Sequence, residues 1–255
     1  MTNDGNLPLD RSLLLAIERA GVLAWPALET QDIDGWLWRF ANGGSQRANS
    51  VSTLDFHGAD IDKAIADAEQ RYRARGVRPL FQLSDVCVPS DLDRRLQIRG
   101  YTANDRCTTL IRPTPVGDVK IGDGFEIFDR ATDEWTACYT SVITPDRRRT
   151  APDILARVPR GAAFCGVRRQ GRIVATALGV THGGVTIAEC VASLAEVRGQ
   201  GAASTVMRGL AVWGGGQGAH TIALQAVAHN APAQSMYRAL GYRLHGHYEF
   251  RGLVV

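Results

Sequence analysis

Apolar residues recur along the chain in two rhythms, one helical and one alternating, and glycine, proline and polar clusters mark the breaks between them. Leu13, Leu14, Ile17 and Ala20 share one helical face behind Asp10, a capping residue, and Gly21 supplies a stop. Residues 35–40 (Gly-Trp-Leu-Trp-Arg-Phe) alternate as a strand does. The polar turn 42–45 follows, and residues 46–51 predict a second strand. From Asp60 to Arg75, the positions of Ile61, Ala64, Ile65, Ala68 and Tyr72 predict a helix closed by Gly76. Residues 79–83 read as a short strand, Ser90 caps a helix through Ile98 that ends at Gly100, and residues 108–111 form a last strand.

Both rhythms stop over residues 112–124, where Pro113, Pro115, Gly117, Gly122 and Gly124 stand among few large apolar side chains; this is a linker. Residues 125–128 restart the chain as a strand, and Thr132 opens a helix carrying Trp135, Cys138 and Tyr139. The run Arg147 to Arg149 predicts a solvated loop, with a substrate or phosphate contact as the alternative. Residues 162–167 and 172–180 make a hairpin around Gly171. The densest stretch is 186–242: a strand, a turn with Gly199 and Gly201, and a helix with Val206, Leu210 and Trp213 on one face. After a Gly-rich break come a second strand and a helix ending at Gly241.

Two parts of this pattern repeat. Residues 81–101 and 222–242 share a layout of strand, turn, helix and terminal Gly-Tyr at an offset of 141 (242 − 101). The same offset sets His57-Gly58 against Arg198-Gly199 and residues 50–52 against 191–193, so the chain reads as two copies of one fold. Asp60 then stands where the second copy has Gly201, and Leu96 where it has Tyr237. The first copy either lines a substrate groove or only supports the second.

A net charge of +3, with 22% charged and 45% hydrophobic residues, describes a globular chain and is too mild to point to nucleic acid. Five cysteines (Cys87, Cys107, Cys138, Cys165 and Cys190), odd in number and without C-x-x-C spacing, predict free thiols in a reducing compartment, not a disulfide frame or zinc site. The N-terminus carries Asp4 and Asp10 without a basic segment before an apolar one, and no apolar run approaches the roughly 18 residues of a membrane span. The expectation is a cytoplasmic protein with no metal, no membrane contact and no nucleic-acid partner.

A strand leading through glycines into a helix N-terminus is a phosphate cradle, because unpaired N–H groups converge there and the helix dipole adds positive potential. The stretch contains neither G-x-x-x-x-G-K-[ST] nor G-x-G-x-x-G. Arg198-x-x-Gly201-x-Ala203 instead resembles the Q/R-x-x-G-x-G/A signature of the GCN5-related N-acetyltransferases (GNAT). Downstream, Asn230, Ala233, Tyr237, Gly241 and Tyr242 resemble that family's N-x-x-A-x-x-x-Y-x-x-x-G-[FY] helix. Trp36, Arg39 and residues 47–51 are similar to the W-x-x-R…R-A-N-S-V half of bacterial tandem members.

This resemblance implies an α/β (α+β) fold of two tandem domains, 1–112 and 125–255, joined by the linker 113–124. Each would be a mixed, mostly antiparallel sheet flanked by helices, with a splayed central pair of parallel strands. It implies acetyl-CoA in the V between strands 187–193 and 221–228 of the second domain. Val191, Ala192 and Ser193 would meet the pantetheine; Arg198, Gly199, Gln200, Gly201, Ala202, Ala203 and Ser204 would surround the pyrophosphate. Asn230 reads equally as a cofactor contact or a helix cap, and Tyr237 is the family's general acid. Gln225 stands where some relatives carry a Glu base. Glu189 is the best carboxylate left, with an ion-paired strand residue as its alternative reading, and His182 and His229 are further candidates. The aromatic and basic tail 245–251 could close over the acceptor or be the last strand. The implied function is transfer of acetyl from acetyl-CoA to a primary amine of a small molecule or polypeptide, by a monomer or homodimer. The alternative is a non-catalytic acyl-CoA-binding or scaffold protein, which Gln225 favours and Tyr237 opposes.

Overall fold

The structure, a computed structural model, describes residues 9–253, so Asp4 lies outside the described residues. Asp10 accepts hydrogen bonds from the N–H groups of Ser12 and Leu13 and so starts α1 (Arg11–Ala24). There follow β1 (Glu29–Ile33), β2 (Trp36–Phe40), a 3-10 turn (Arg47–Asn49), β3 (Val51–Ser52), α2 (Ile61–Arg73), β4 (Leu80–Ser84), α3 (Leu92–Ile98) and β5 (Tyr101–Pro113). After the linker come β6 (Phe125–Phe128), α4 (Asp133–Val142), α5 (Pro145–Leu155), β7 (Ala163–Arg169), β8 (Arg172–His182) and β9 (Val185–Ser193). A second 3-10 turn (Ala195–Val197) leads into α6 (Ala202–Gly216), β10 (Thr221–Val227), α7 (Ala231–Ala239) and β11 (Arg243–Leu253).

Instead of the two separate sheets that tandem domains imply, the strands form one eleven-stranded sheet in the order β1-β2-β3-β4-β11-β5-β10-β9-β8-β7-β6. The reason lies in the final strand of each half. β5 pairs with β10, β11 pairs with β4, and the two pair with each other, so each half borrows the other's last strand. The tail 245–251 is therefore an interior strand. Helix α1 crosses as well: its Ile17 and Ala20 join Leu178, Val180 and Ile187 in a core beside Trp135 and Tyr139 of α4. On the opposite face of these strands, Val206, Met207 and Leu210 of α6 cover Ala175, Ala177 and Ala188. At Gly209 a Cβ would lie 2.2 Å from the Phe125 ring, so α6 approaches the sheet more closely than any other residue there would let it.

Several sequence expectations fail locally: α1 runs past Gly21 to Ala24, and α3 follows Asp91 with no side-chain cap from Ser90. Residues 46–51 are a 3-10 turn and a two-residue strand, because the Asn49 carboxamide bonds back to Ala41 and Gly43 N–H and to Gly43 and Ser45 C=O, folding the chain into a turn. Arg147 to Arg149 are not in a loop but in the first turns of α5, which Thr144 precedes, Pro145 opens, and buried Ala151, Ile154 and Leu155 anchor. The last strand of the first half extends to both sides of 108–111. The offset of 141 holds for α2 against α6 and β4 against β10 but not for β3 against β9. Val51 faces Phe81, whereas Ile222 faces Thr186, not residue 192. Residues 45–50, which the offset would lay along β9, form the Arg47–Asn49 turn instead.

Candidate active site

Strands β9 and β10 are parallel and paired over only four residues, Val185–Ala188 against Thr221–Leu224. Beyond that they part: β9 continues against β8 and β10 against β5. A bulge helps turn β9 away. Cys190 takes φ of 53°, two residues there oppose one on β8, and Thr176 Oγ1 donates to the Cys190 carbonyl at 3.0 Å. Residues 189–193, which include Val191, Ala192 and Ser193, thus have no strand partner on the β10 side. The expected V is present, and its apex lies between Glu189 and Gln225.

Past β9 the chain makes the 3-10 turn and enters α6 through Gly199 and Gly201, at φ of 75° and 81°. A Cβ on either would meet nothing within 4 Å, so glycine serves here for its left-handed backbone and for the open space above it. Gly201 caps α6 without a side chain, and no acidic residue follows in the first turn. Among the described residues, the N–H groups of Gly199, Gly201, Ala202, Ala203 and Ser204 donate to no acceptor in the chain, whereas those of Arg198 and Gln200 bond to Ala195 and Val197 carbonyls. Five unpaired donors at a helix N-terminus fit an anion. The Gln200 carbonyl accepts from Arg169 Nη2 at 2.9 Å, which brings to this loop a cation that the Arg168-Arg169 dipeptide did not advertise. The Arg198 side chain is exposed at the same turn.

Tyr237 and Asn230 lie on and before α7, on the other arm of the V. Asn230 caps the helix through Oδ1, which accepts from Ala233 N–H at 3.3 Å. Tyr237 is 6% exposed and meets Tyr242 edge-to-face, with ring centroids 5.8 Å apart. Burial, and secondarily the Glu189 charge, pushes its phenol well above the usual tyrosine range. At neutral pH it therefore carries its proton. Its hydroxyl has no hydrogen-bond partner among the described residues, yet unlike Tyr242 it is not sealed from solvent.

Glu189 is ion-paired with Arg47, which comes from the first half; their side chains are 14% and 12% exposed. Arg47 Nη2 also donates to Gln225 Oε1 at 3.0 Å and to the Tyr248 hydroxyl at 3.1 Å. Gln225, held in this orientation, donates to Glu18 Oε1 at 2.6 Å and to Thr109 Oγ1 at 3.2 Å. From the opposite side Arg39 Nη2 donates to Gln82 Oε1 at 2.8 Å, and Gln82 Nε2 donates to Glu18 Oε2 at 3.1 Å. Burial pushes the Glu18 carboxyl up to about 7, against the pull of Arg47 and the Gln225 hydrogen bond. Glu18 and the link from Arg47 to Glu189 and Gln225 escaped sequence reading, although Leu14, Ile17, Glu18 and Gly21 share the buried face of α1 and a carboxylate there was a signal.

His182 pairs with Val185 at the closed end of the V, and His229 is exposed in the turn before α7. A cavity of about 280 Å³ is lined by Gln46 and Asn49, which flank Arg47, and by Thr144 and Asp146 at the start of α5. Among the described residues, no group of three or more His, Cys, Asp or Glu side chains is placed to hold a metal ion, and no helix is long and apolar enough to cross a membrane.

Comparison with known proteins gives a consistent picture. Residues 12–251 match the profile of the family described as "Probable histone acetyltransferase Rv0428c C-terminal". The chain is 29% identical over 245 residues to the "Uncharacterized N-acetyltransferase YobR" of Bacillus subtilis (strain 168), covering 89% of this chain and 93% of that protein. It is 26% identical over 244 residues to the "Probable histone acetyltransferase Rv0428c" of Mycobacterium tuberculosis, covering 94% of this chain and 74% of that protein. Among solved structures, a GCN5-related N-acetyltransferase from Kribbella flavida superposes with a TM-score of 0.66 at 18% identity, covering 94% of this chain and 95% of the other.

Proposed function

The chain belongs to the Rv0428c C-terminal family of GCN5-related N-acetyltransferases, and on that footing we propose that it transfers acetyl from acetyl-CoA to a primary amine of a small molecule or polypeptide. The observation that carries this reading is the set of five unpaired N–H groups at Gly199 to Ser204, open to solvent at the mouth of a parallel strand fork. These donors would hold the pyrophosphate, and the unpaired edge of residues 189–193 would be available to the pantetheine. The chain is read as two halves, 1–112 and 125–255 joined by 113–124, of which only the second holds acetyl-CoA.

When bound, acetyl-CoA supplies an acyl thioester, which a neutral amine attacks and from which a thiolate leaves. Tyr237 gives that thiolate its proton. A phenol held neutral by burial is always loaded though a reluctant donor, and a thiolate shut away from water beside it is a correspondingly stronger base. The amine must lose a proton; a lysine-type ammonium, with a pKa of about 10.4, is rarely neutral at pH 7. Glu189 keeps Oε2 outside its contact with Arg47, and it orients the amine and accepts the proton directly or through water. Asn230 caps α7 and stands at the mouth of the fork as a cofactor contact as well, while Gln82 and the histidines need no role in this scheme beyond holding the chain. The cavity flanked by Gln46 and Thr144 supports an acceptor groove built from both halves. The name of the M. tuberculosis relative, "Probable histone acetyltransferase Rv0428c", favours a polypeptide amine.

A panel of amines (a lysine peptide, spermidine, an aminoglycoside) assayed for free thiol release tests the reaction, and Tyr237→Phe tests its acid. The variant keeps the ring and should bind acetyl-CoA as the parent does, while kcat and kcat/KM fall together by about 10²–10⁴-fold. Turnover at the parental rate, with chemistry rate-limiting, removes Tyr237 from the mechanism.

A further inference from the structure

Arg47 stands at the apex of the fork. The last paired residues of the parallel strands are Ala188 and Leu224, and the next on each strand are Glu189 and Gln225. One guanidinium from the first half is bonded to both, and also to Tyr248 of β11. All three partners belong to the second half. Arg39, the neighbouring buried arginine, behaves differently: its side-chain partners, Ser50 and Gln82, are in its own half. The local fold of the first half is also arranged for this delivery. Residues 45–50, which the 141-residue offset would lay along a strand, form the 3-10 turn that carries Arg47, and the Asn49 carboxamide closes that turn from behind.

We propose that Arg47 is a positioning residue of the acetyl-transfer centre, a wedge that fixes Glu189 and Gln225 where β9 and β10 part, so that the half of the chain without a cradle is needed for turnover as well as for folding. The inference rests on the function proposed above. A guanidinium is suited to the task because it is planar, always charged and can bond several acceptors at once, which an ammonium on a flexible stem does less well. Through Glu189 Oε1 it leaves the other carboxylate oxygen directed by the pair, and through Gln225 it sets the second strand's departure at the same point.

The test is a double-mutant cycle on the full chain with Arg47→Met, Glu189→Gln and the two together, using the amine of the panel that the parent acetylates fastest. Arg47→Met alone leaves a half-buried carboxylate without its partner and is open to misfolding; the double variant removes both charges and keeps the test valid. Each single change is expected to lower kcat by at least about 10²-fold and the double by no more than the larger single, because both act through one unit. Acetyl-CoA affinity by calorimetry should stay within about threefold of the parent in the double variant, since the cradle is untouched. A folded double variant that turns over at the parental rate, or losses that multiply, overturns the role given to Arg47. A parent that acetylates none of the amines overturns the proposed function itself, and the wedge with it.

Discussion

The two parallel forks of this sheet start from the same plan and end differently. In the first half, β3 and β4 pair at Val51–Ser52 against Phe81–Gln82, and the chain then closes its own gap. Thr53 Oγ1 donates to the Gln82 carbonyl at 2.8 Å, and the Thr53 carbonyl accepts from Val88 N–H at 2.8 Å. The following helix, α2, begins at Asp60, whose carboxylate accepts from Lys63 N–H at 3.0 Å. In the second half the fork opens past Ala188, and α6 begins at a glycine with its N–H groups unpaired. Where the second half presents Tyr237, the first has Leu96, fully buried and without a proton to give. A helix N-terminus is an anion site only when the chain leaves it unused, and a carboxylate cap both consumes a donor and places negative charge where a phosphate would sit. The contrast between the open fork and the closed one therefore lies in a cap, a glycine turn and a short stretch of backbone pairing.

Gly201→Asp should make the open helix resemble the closed one. It brings a carboxylate to the cradle and puts a side chain at φ of 81°, which costs on the order of 1–2 kcal/mol. Acetyl-CoA affinity should weaken by at least about 10²-fold, with circular dichroism unchanged. Wild-type affinity in calorimetry would show that α6 is not the pyrophosphate site.

Glu18 marks a point where the halves are alike, for each sends it one glutamine amide, Gln82 from β4 and Gln225 from β10. Both oxygens accept, a pattern that suits the carboxylate, while burial favours the acid and raises the group from 4.5 to about 7. A carboxyl whose folded pKa exceeds its unfolded one binds its proton more tightly when folded. Its stabilising effect is complete below about 4.5 and is lost as pH rises through about 7, at most about 3 kcal/mol. Glu18→Gln should remove that part of the pH dependence, so the stability difference between variant and parent should shift in the variant's favour from pH 4.5 to 8. Denaturant unfolding at several pH values measures it, and parallel profiles would mean that Glu18 does not titrate in that window.

The turn and helix of the proposed cradle were legible because everything they need is adjacent in sequence: Gly199 and Gly201 mark the turn, and Val206 and Leu210 mark the helix they open. The helix at Asp60 and the Tyr237 helix were legible for the same reason, although the capping role of Asp60 was not read. α5 was also written locally, in Thr144 and Pro145, but the three arginines masked it; they bond to Tyr139, Thr140 and Asp146, and the buried Ala151, Ile154 and Leu155 anchor the helix despite the charge. Other features are not local at all. Arg47 meets Glu189 across 142 positions, and nothing near either residue specifies the other. The exchange of β5 and β11 is likewise hidden, since each follows a helix and a Gly at the same offset and either could complete either half. A strand was expected at 46–51 as the second arm of a hairpin around the polar turn 42–45, and that layout does not register that the Asn49 side chain competes for the backbone.

The direct measurement is a calorimetric titration of the full chain with acetyl-CoA. One molecule per chain is the result expected from an open fork at β9–β10 and a closed one at β3–β4, and Asp60→Ala should leave that count at one because Thr53 and Val88 still close the first fork. Two per chain would contradict the contrast between the halves, and no binding would contradict the cradle.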